Sequence, residues 1–293
     1  MTQQLTLFSW PEEAAPVDAL TLLRQGAALV LSVSGGKDSD AMCHHLLDLR
    51  QREGWCGSVC LIHADLGRAE WHSTSAYVQG LAERLKVPLH IARWTQGDLI
   101  DRIWARWETL NHAVCPWPSA KIRFCTSDMK QGPISRFIRQ TFSGRVICAM
   151  GLRAQESSTR ARKLILSPRR DCMAPTKGRF VYDWLPIHDW TERQVWDCIR
   201  QHGSVFHEAY QLGNQRLSCA CCILASLNDL LNGAIHNPDT YRELCRIEAV
   251  TGYSFRLNLW LSDLKPDLLP ATTLDAVRRH QAIPRLPSST PKG

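Results

Sequence analysis

An apolar run, Ala27 to Val33, stops at Ser34-Gly35-Gly36-Lys37-Asp38-Ser39, and an amphipathic segment follows with Met42, Leu46 and Leu49 on one face at helical spacing. A strand that passes through two glycines straight into a helix is the building unit of parallel α/β sheets, and few other folds use it. The same turn makes an anion site, because backbone N–H groups and a helix N-terminus point at one spot. The glycines remove the Cβ atoms that would keep a phosphate away, and Lys37 supplies compensating charge. The spacing is not that of the P-loop, which needs four residues between its glycines and a Gly-Lys-Ser/Thr ending. Nor is it the dinucleotide Gly-x-Gly-x-x-Gly pattern.

The alternation continues along the chain. Strands are predicted at 59–63, 89–93 and 145–150, and helices at about 39–52, 73–86, 98–110 and 131–140. This implies a doubly wound parallel sheet with right-handed crossovers. In such sheets ligands sit beyond the carboxyl ends of the strands. Ser34–Ser39, Asp65–Glu70 and Gly151–Glu156 each fall just past a strand end and are expected to converge on one crevice. After about residue 190 the pattern turns mostly helical, at 191–201 with Thr191 as N-cap, 226–232, 237–250 and 274–281.

The net charge of +7 owes much to Arg153, Arg160, Arg162, Lys163, Arg169, Arg170, Lys177 and Arg179. That balance suits a polyanionic substrate, nucleic acid or a compact nucleotide alike. No apolar stretch has the length of a membrane span, and no secretory leader is evident, so a cytoplasmic location without a membrane partner is expected. In a reducing compartment the twelve cysteines are not expected to form disulfides. Cys43, Cys60, Cys148, Cys198 and Cys245 read as small buried apolar residues. Cys219-Ala-Cys-Cys222 contains a Cys-x-x-Cys pair, a spacing at which thiolates share zinc or an iron–sulfur cluster. Trp184, Trp190 and Trp196 are expected to pack the second half onto the sheet; base stacking by Trp71, Trp104 or Trp107 is the less favoured alternative to core packing.

Six blocks, in order, resemble the phosphoadenylylsulfate (PAPS) reductase family of pyrophosphate-loop (PP-loop) proteins. Ser34–Ser39 resembles the loop of enzymes that split ATP between its α and β phosphates. The others are Ala64-Asp65-Leu-Gly67-Arg-Ala-Glu70, Arg123-Phe-Cys125-Thr126-Ser-Asp-Met-Lys130, Gly151-Leu-Arg153-Ala-Gln-Glu156-Ser157, Leu185-Pro186-Ile-His-Asp189-Trp190-Thr191, and Tyr210-Gln-Leu-Gly213 leading to Cys219-Ala-Cys-Cys222. The resemblance covers about 27–250 and is strongest to sulfurtransferase-like members, such as the sulfur-handling subunit of DNA phosphorothioation systems and prophage relatives.

The resemblance implies an adenine-nucleotide-α-hydrolase-like sheet in a PP-loop nucleotide-binding α/β domain (27–190); the residue pattern itself sets off an acidic, proline-containing lead-in (1–26), a helical region with the Cys-x-x-Cys pair (191–282) and a proline- and serine-rich tail expected to be flexible (283–293). It implies ATP and Mg2+ bound by Ser34, Gly35, Gly36, Lys37, Asp38, Ser39, Asp65, Gly67, Gly151, Arg153 and Glu156, with Lys37, Asp38, Cys125 and Arg153 in the chemistry. Asp38 is left open between Mg2+ ligand and helix cap, and Asp65 between Mg2+, a ribose hydroxyl and a turn. Glu156 is expected to pair with Arg153 or Arg160, and Arg123 and Lys130 to lower the pKa of the Cys125 thiol. Cys125, Cys219 and Cys222 are the candidate ligands of an iron–sulfur cluster, with Cys115, Cys172, Cys221 or nothing in fourth place; zinc, a catalytic dithiol and inert cysteines are the alternatives. The implied reaction is adenylylation of an acceptor with pyrophosphate release, then sulfur transfer. DNA, tRNA or a small molecule would be the acceptor, and a cysteine desulfurase a possible donor. The alternatives are sulfite production from PAPS or adenylylsulfate, and a non-catalytic nucleotide-binding subunit of a modification or defence complex. One departure weighs against reduction: the family's reductases attack sulfur with a C-terminal cysteine, and no cysteine follows Cys245 here.

Overall fold

The structure is a computed structural model that describes residues 18–282, so the expected tail (283–293) and most of the lead-in lie outside the described residues. Its elements in chain order are α1 (Ala19–Arg24), β1 (Ala28–Val33), α2 (Lys37–Glu53), β2 (Val59–Asp65), α3 (Thr74–Leu85), β3 (Leu89–Arg93), α4 (Leu99–Thr109), α5 (Gly132–Thr141), β4 (Arg145–Met150), β5 (Leu166–Pro168), β6 (Phe180–Trp184), α6 (Glu192–Gln201), α7 (Leu227–His236), α8 (Pro238–Thr251) and α9 (Ala271–Gln281). Short single turns of helix connect several of them.

The strands form one six-stranded sheet in the order β3-β2-β1-β4-β6-β5. The expected α/β architecture is present, with two corrections. Two strands, β5 and β6, were not foreseen, and β5 runs antiparallel to β6, so the sheet is parallel except at that edge. The chain leaves β1 through β2 to β3 on one side and returns to β4 on the other. The gap between β1 and β4 is therefore the topological switch point, where a doubly wound sheet opens a crevice.

Side chains alternate across the strands. Leu29, Leu31, Val33, Ile147 and Ala149 share a core with Met42 and Leu46 of α2, Val78 and Leu81 of α3, and Val195 and Ile199 of α6. Trp184 belongs to that core and Trp190 and Trp196 pack on its edge, as expected. The opposite face, with Val30, Ile62, Val146, Cys148 and Val181, is covered by Ile134 and Ile138 of α5. A further core joins α4, α7 and α8 and takes in Cys221 and Cys245. Thr191 caps α6 through its side chain on Gln194 N, as predicted. The five cysteines read as apolar are all buried, and burial pushes their thiols up. Trp71 and Trp107 are also buried, which favours packing over base stacking for both. Among the described residues no helix is long and apolar enough to cross a membrane.

Candidate active site

The loop after β1 turns through Gly35, whose φ of 76° lies in the left-handed region open to glycine. Gly36 is the N-cap and α2 begins at Lys37, two residues earlier than the sequence pattern suggests. The Ser39 hydroxyl donates to the Gly36 carbonyl at 2.8 Å and accepts from Ser34 N–H at 3.3 Å, so it braces the turn. Gly151, the first residue after β4, packs directly on the start of α2: a Cβ there would lie 2.7 Å from the Asp38 carbonyl carbon and 2.8 Å from Ser39 N. Two of the predicted strand-end motifs therefore meet at the β1–β4 switch point.

Arg153 is buried and its Nε donates to Asp38 Oδ1. Asp38 lies in the first turn of α2, and the guanidinium holds its carboxylate. Glu156 accepts from Arg153 N–H at 3.1 Å and pairs with Arg160 and, at 3.2 Å, with Arg216. Lys37 is 3% exposed; its ammonium donates to the Gln215 carbonyl at 3.0 Å, lies 3.4 Å from Glu192 and stands 5.2 Å from the Tyr210 ring centre. These groups line a cavity of about 740 Å³ whose walls include Lys37, Arg153, Glu156, Glu192, Tyr210 and Arg216. That volume falls within the range of small-molecule sites.

Asp65 and Gly67 do not line this cavity. Asp65 accepts from Gly67 N–H and from Arg93 Nε, each at 2.7 Å, which makes it a turn aspartate locked to the neighbouring strand. Burial works to raise its pKa, but the Gly67 and Arg93 contacts outweigh it and hold the carboxyl below its usual value. Gly67 has φ 63°, and a Cβ on it would strike Asp98 at 2.4 Å, so its glycine serves packing.

Cys125, Cys219 and Cys222 are half-buried and close enough to perturb one another electrostatically. Among the described residues, however, no three His, Cys, Asp or Glu side chains are arranged to hold a metal ion. The expected acidification of Cys125 is also reversed: burial pushes its thiol up, and Lys130 and Arg123 do not offset it. Burial likewise pushes Cys219 up, and Cys221 to about 12. Cys172 is corrected as a fourth ligand, since it is buried in the core under α5 with its thiol on the Ser135 carbonyl at 3.7 Å. Cys221 faces the α4–α7–α8 core, and Cys115 is exposed.

One buried group beside the loop was missed. Asp40, in the first turn of α2, accepts from the Tyr77 hydroxyl through Oδ2, while its Oδ1 has no partner. Burial pushes its carboxyl from 3.8 to about 7. Between those values the folded protein keeps a proton that the unfolded chain has released. The contribution to stability is full below pH 3.8 and lost as pH rises through about 7. Asp40→Asn is expected to flatten that fall by on the order of 4 kcal/mol, read from urea melts of both proteins at low and neutral pH. A parallel pH profile in the two proteins would refute it.

A family model of the phosphoadenosine phosphosulfate reductase domain matches residues 28–225. Among curated proteins the chain is 30% identical over 156 residues to an uncharacterized 37.8 kDa protein of Escherichia phage 186, covering 51% of this chain and 42% of that protein. It is 27% identical over 186 residues to the phosphoadenosine 5'-phosphosulfate reductase of Yersinia enterocolitica, covering 63% of this chain and 66% of the reductase. The matches thus span less than two thirds of either relative's own length. Among solved structures, the PAPS reductase of Candida auris in its phosphate complex overlays with a TM-score of 0.45 at 16% identity, covering 70% of this chain and 89% of that one. The U34-tRNA thiolase NcsA of Methanococcus maripaludis with its [4Fe-4S] cluster overlays with a TM-score of 0.45 at 14% identity, covering 89% and 73%. The family model runs from the first strand through the cysteine segment, more than half of the chain, and the protein belongs to the phosphoadenosine phosphosulfate reductase family.

Proposed function

We propose that the protein is an ATP-dependent enzyme that adenylylates an acceptor oxygen so that sulfur can replace it. The observation that carries this reading is that buried Lys37, the first residue of α2 directly after the glycine pair, and buried Arg153 line one cavity. The acceptor oxygen attacks the α-phosphorus, the bond to the bridging oxygen breaks, and pyrophosphate leaves. Sulfur then attacks the adenylylated carbon or phosphorus, and AMP departs. Backbone N–H groups of the loop and the Lys37 ammonium stabilise charge on the departing pyrophosphate. Arg153 orients Asp38 and adds a second positive charge beside the Lys37 ammonium. Asp38 and Asp65 are each engaged by an arginine, so no step is assigned to Mg2+. No step is routed through an iron–sulfur cluster either, given the arrangement of the thiols.

The acceptor class remains DNA, tRNA or a small molecule, with a cysteine desulfurase or similar protein as sulfur donor. A second reading, sulfite production from PAPS, is favoured by the similarity to the Yersinia reductase. The test is product analysis. With ATP labelled at the α or γ phosphate, AMP and pyrophosphate are expected in the presence of an acceptor and sulfide. Sulfite from PAPS and thioredoxin would establish the second reading, and tight ATP binding without turnover under any condition would leave a nucleotide-binding subunit. Iron and inorganic sulfide in stoichiometric amount in an anaerobic preparation would return the cluster to the reaction.

A further inference from the structure

The Tyr210 hydroxyl accepts from two backbone amides far apart in the chain. One is Lys37 N–H, at the start of α2, at 3.0 Å; the other is Leu217 N–H, at 3.3 Å. Leu217 stands two residues before Cys219. Its side chain also lies on the glycine pair: a Cβ on Gly35 would be 3.2 Å from Leu217 Cδ2, and one on Gly36 would be 3.7 Å from its Cβ. The Lys37 ammonium is bonded to the Gln215 carbonyl of the same segment. Residues 210–217 therefore rest on the loop through groups that an anion in the loop would claim for itself.

The competition has a clear direction. Burial keeps Tyr210 a neutral phenol by pushing its pKa up, and Gln215 offers a neutral carbonyl. A phosphate oxygen carries charge, and charge-assisted hydrogen bonds are about twice as strong as neutral ones. The Tyr210 ring is braced edge-on by Trp196 at 5.3 Å and by Phe206 at 6.5 Å, so displacing its hydroxyl is not free of consequence for its neighbours. Once that hydroxyl leaves, Leu217 N–H loses its acceptor and the start of the cysteine segment is loosened. The next backbone tie beyond it is Ala220 N–H to the Ala69 carbonyl at 2.9 Å.

We propose that Tyr210 is a positioning residue that couples occupancy of the phosphate loop to exposure of Cys219 and Cys222. A bound polyphosphate takes the Lys37 amide and ammonium, the 210–217 segment lifts, and the thiols open to a sulfur donor or acceptor. This rests on the reading of the loop as a phosphate site.

The test uses the full chain, reduced, with ATP and with pyrophosphate as probes. Binding is measured by calorimetry, and the alkylation rate of each cysteine by mass spectrometry. In the wild type, saturating ATP is expected to speed alkylation of Cys219 and Cys222 about fivefold, the shift expected of one net hydrogen bond, and to leave exposed Cys56 unchanged. Tyr210→Phe keeps the ring and its packing. It is expected to react at the faster rate without ATP, to show no further response, and to bind pyrophosphate more tightly. ATP that binds the wild type without changing either rate overturns the coupling while leaving the phosphate site intact. So does a Tyr210→Phe protein that responds to ATP as the wild type does. Absence of any ATP or pyrophosphate binding overturns the phosphate site and the coupling together.

Discussion

Lys37→Ala is expected to lower pyrophosphate release from ATP by at least about 100-fold, the usual cost of removing one preorganised charge from a transferring phosphoryl group. The ammonium is almost fully buried, and its hydrogen-bonding contacts are the Gln215 carbonyl and Glu192. A lysine desolvated on that scale with such modest partners is held ready for a stronger anion. ATP affinity is expected to fall as well, by about tenfold, because part of the same interaction is already made in the ground state. The fold should survive. The variant leaves the Gln215 carbonyl without its donor, at about 1–3 kcal/mol, but it also removes a buried charge, which offsets part of that cost. Lys37→Met keeps most of the side-chain volume and separates lost charge from lost packing. The measurement is steady-state pyrophosphate release with the acceptor that supports turnover, alongside thermal melts. Turnover within about threefold of wild type in both variants would remove Lys37 from the chemistry and with it the reading of the loop.

Lys37 was legible because the six residues of its loop are contiguous and sit between a strand pattern and a helix pattern. The partners that define its setting were not. Tyr210 and Gln215 lie 173 and 178 residues further along the chain, and only the Tyr-x-x-Gly block hinted at the first. Asp65 was visible as a strand-end carboxylate, but its capture by Arg93 depends on the register that sets those two residues side by side on β2 and β3. Cys125 shows the same gap in electrostatic form. Its basic neighbours are written in the sequence, whereas the burial that outweighs them is a property of the fold. The missed strands have a local cause. β5 has three residues, and β6 interrupts its apolar pattern with Asp183, which is tied to Arg169 at 3.0 Å. Neither gives the continuous apolar run by which β1, β2 and β4 announce themselves.

Gly233→Ala is expected to be the most damaging single methyl group in the described part of the chain. Gly233 lies in the interior of α7, where alanine is worth about 1 kcal/mol over glycine on helix propensity alone. Yet a Cβ there would stand 1.7 Å from the Ala220 carbonyl oxygen and 2.7 Å from its carbon. Both are backbone atoms of the cysteine segment and have no rotamer by which to yield. That segment is pinned from its other side by Ala220 N–H on Ala69 O, and Gly233 O accepts from Asn237 N–H at 2.9 Å and Asn237 Nδ2 at 3.3 Å. Either α7 or the segment must retreat, and overpacking of that kind costs about 1–3 kcal/mol and at times more. The steric cost should exceed the propensity gain, so a net loss of about 2 kcal/mol and a melting point lower by several degrees are expected. Gly80→Ala is the matched control. It too lies inside a helix, α3, but its Cβ would meet only the end of the Arg84 side chain at 3.2 Å, which can swing aside. That variant is expected to gain up to about 1 kcal/mol. Urea melts of the two alanine variants should therefore move in opposite directions. Because Gly233 fixes the backbone between Cys219 and Cys221, its variant should also alter the alkylation rates of the Cys-x-x-Cys pair, while Gly80→Ala leaves them alone. A Gly233→Ala protein as stable as wild type would mean that α7 does not press on the cysteine segment as closely as the Gly233–Ala220 contact requires.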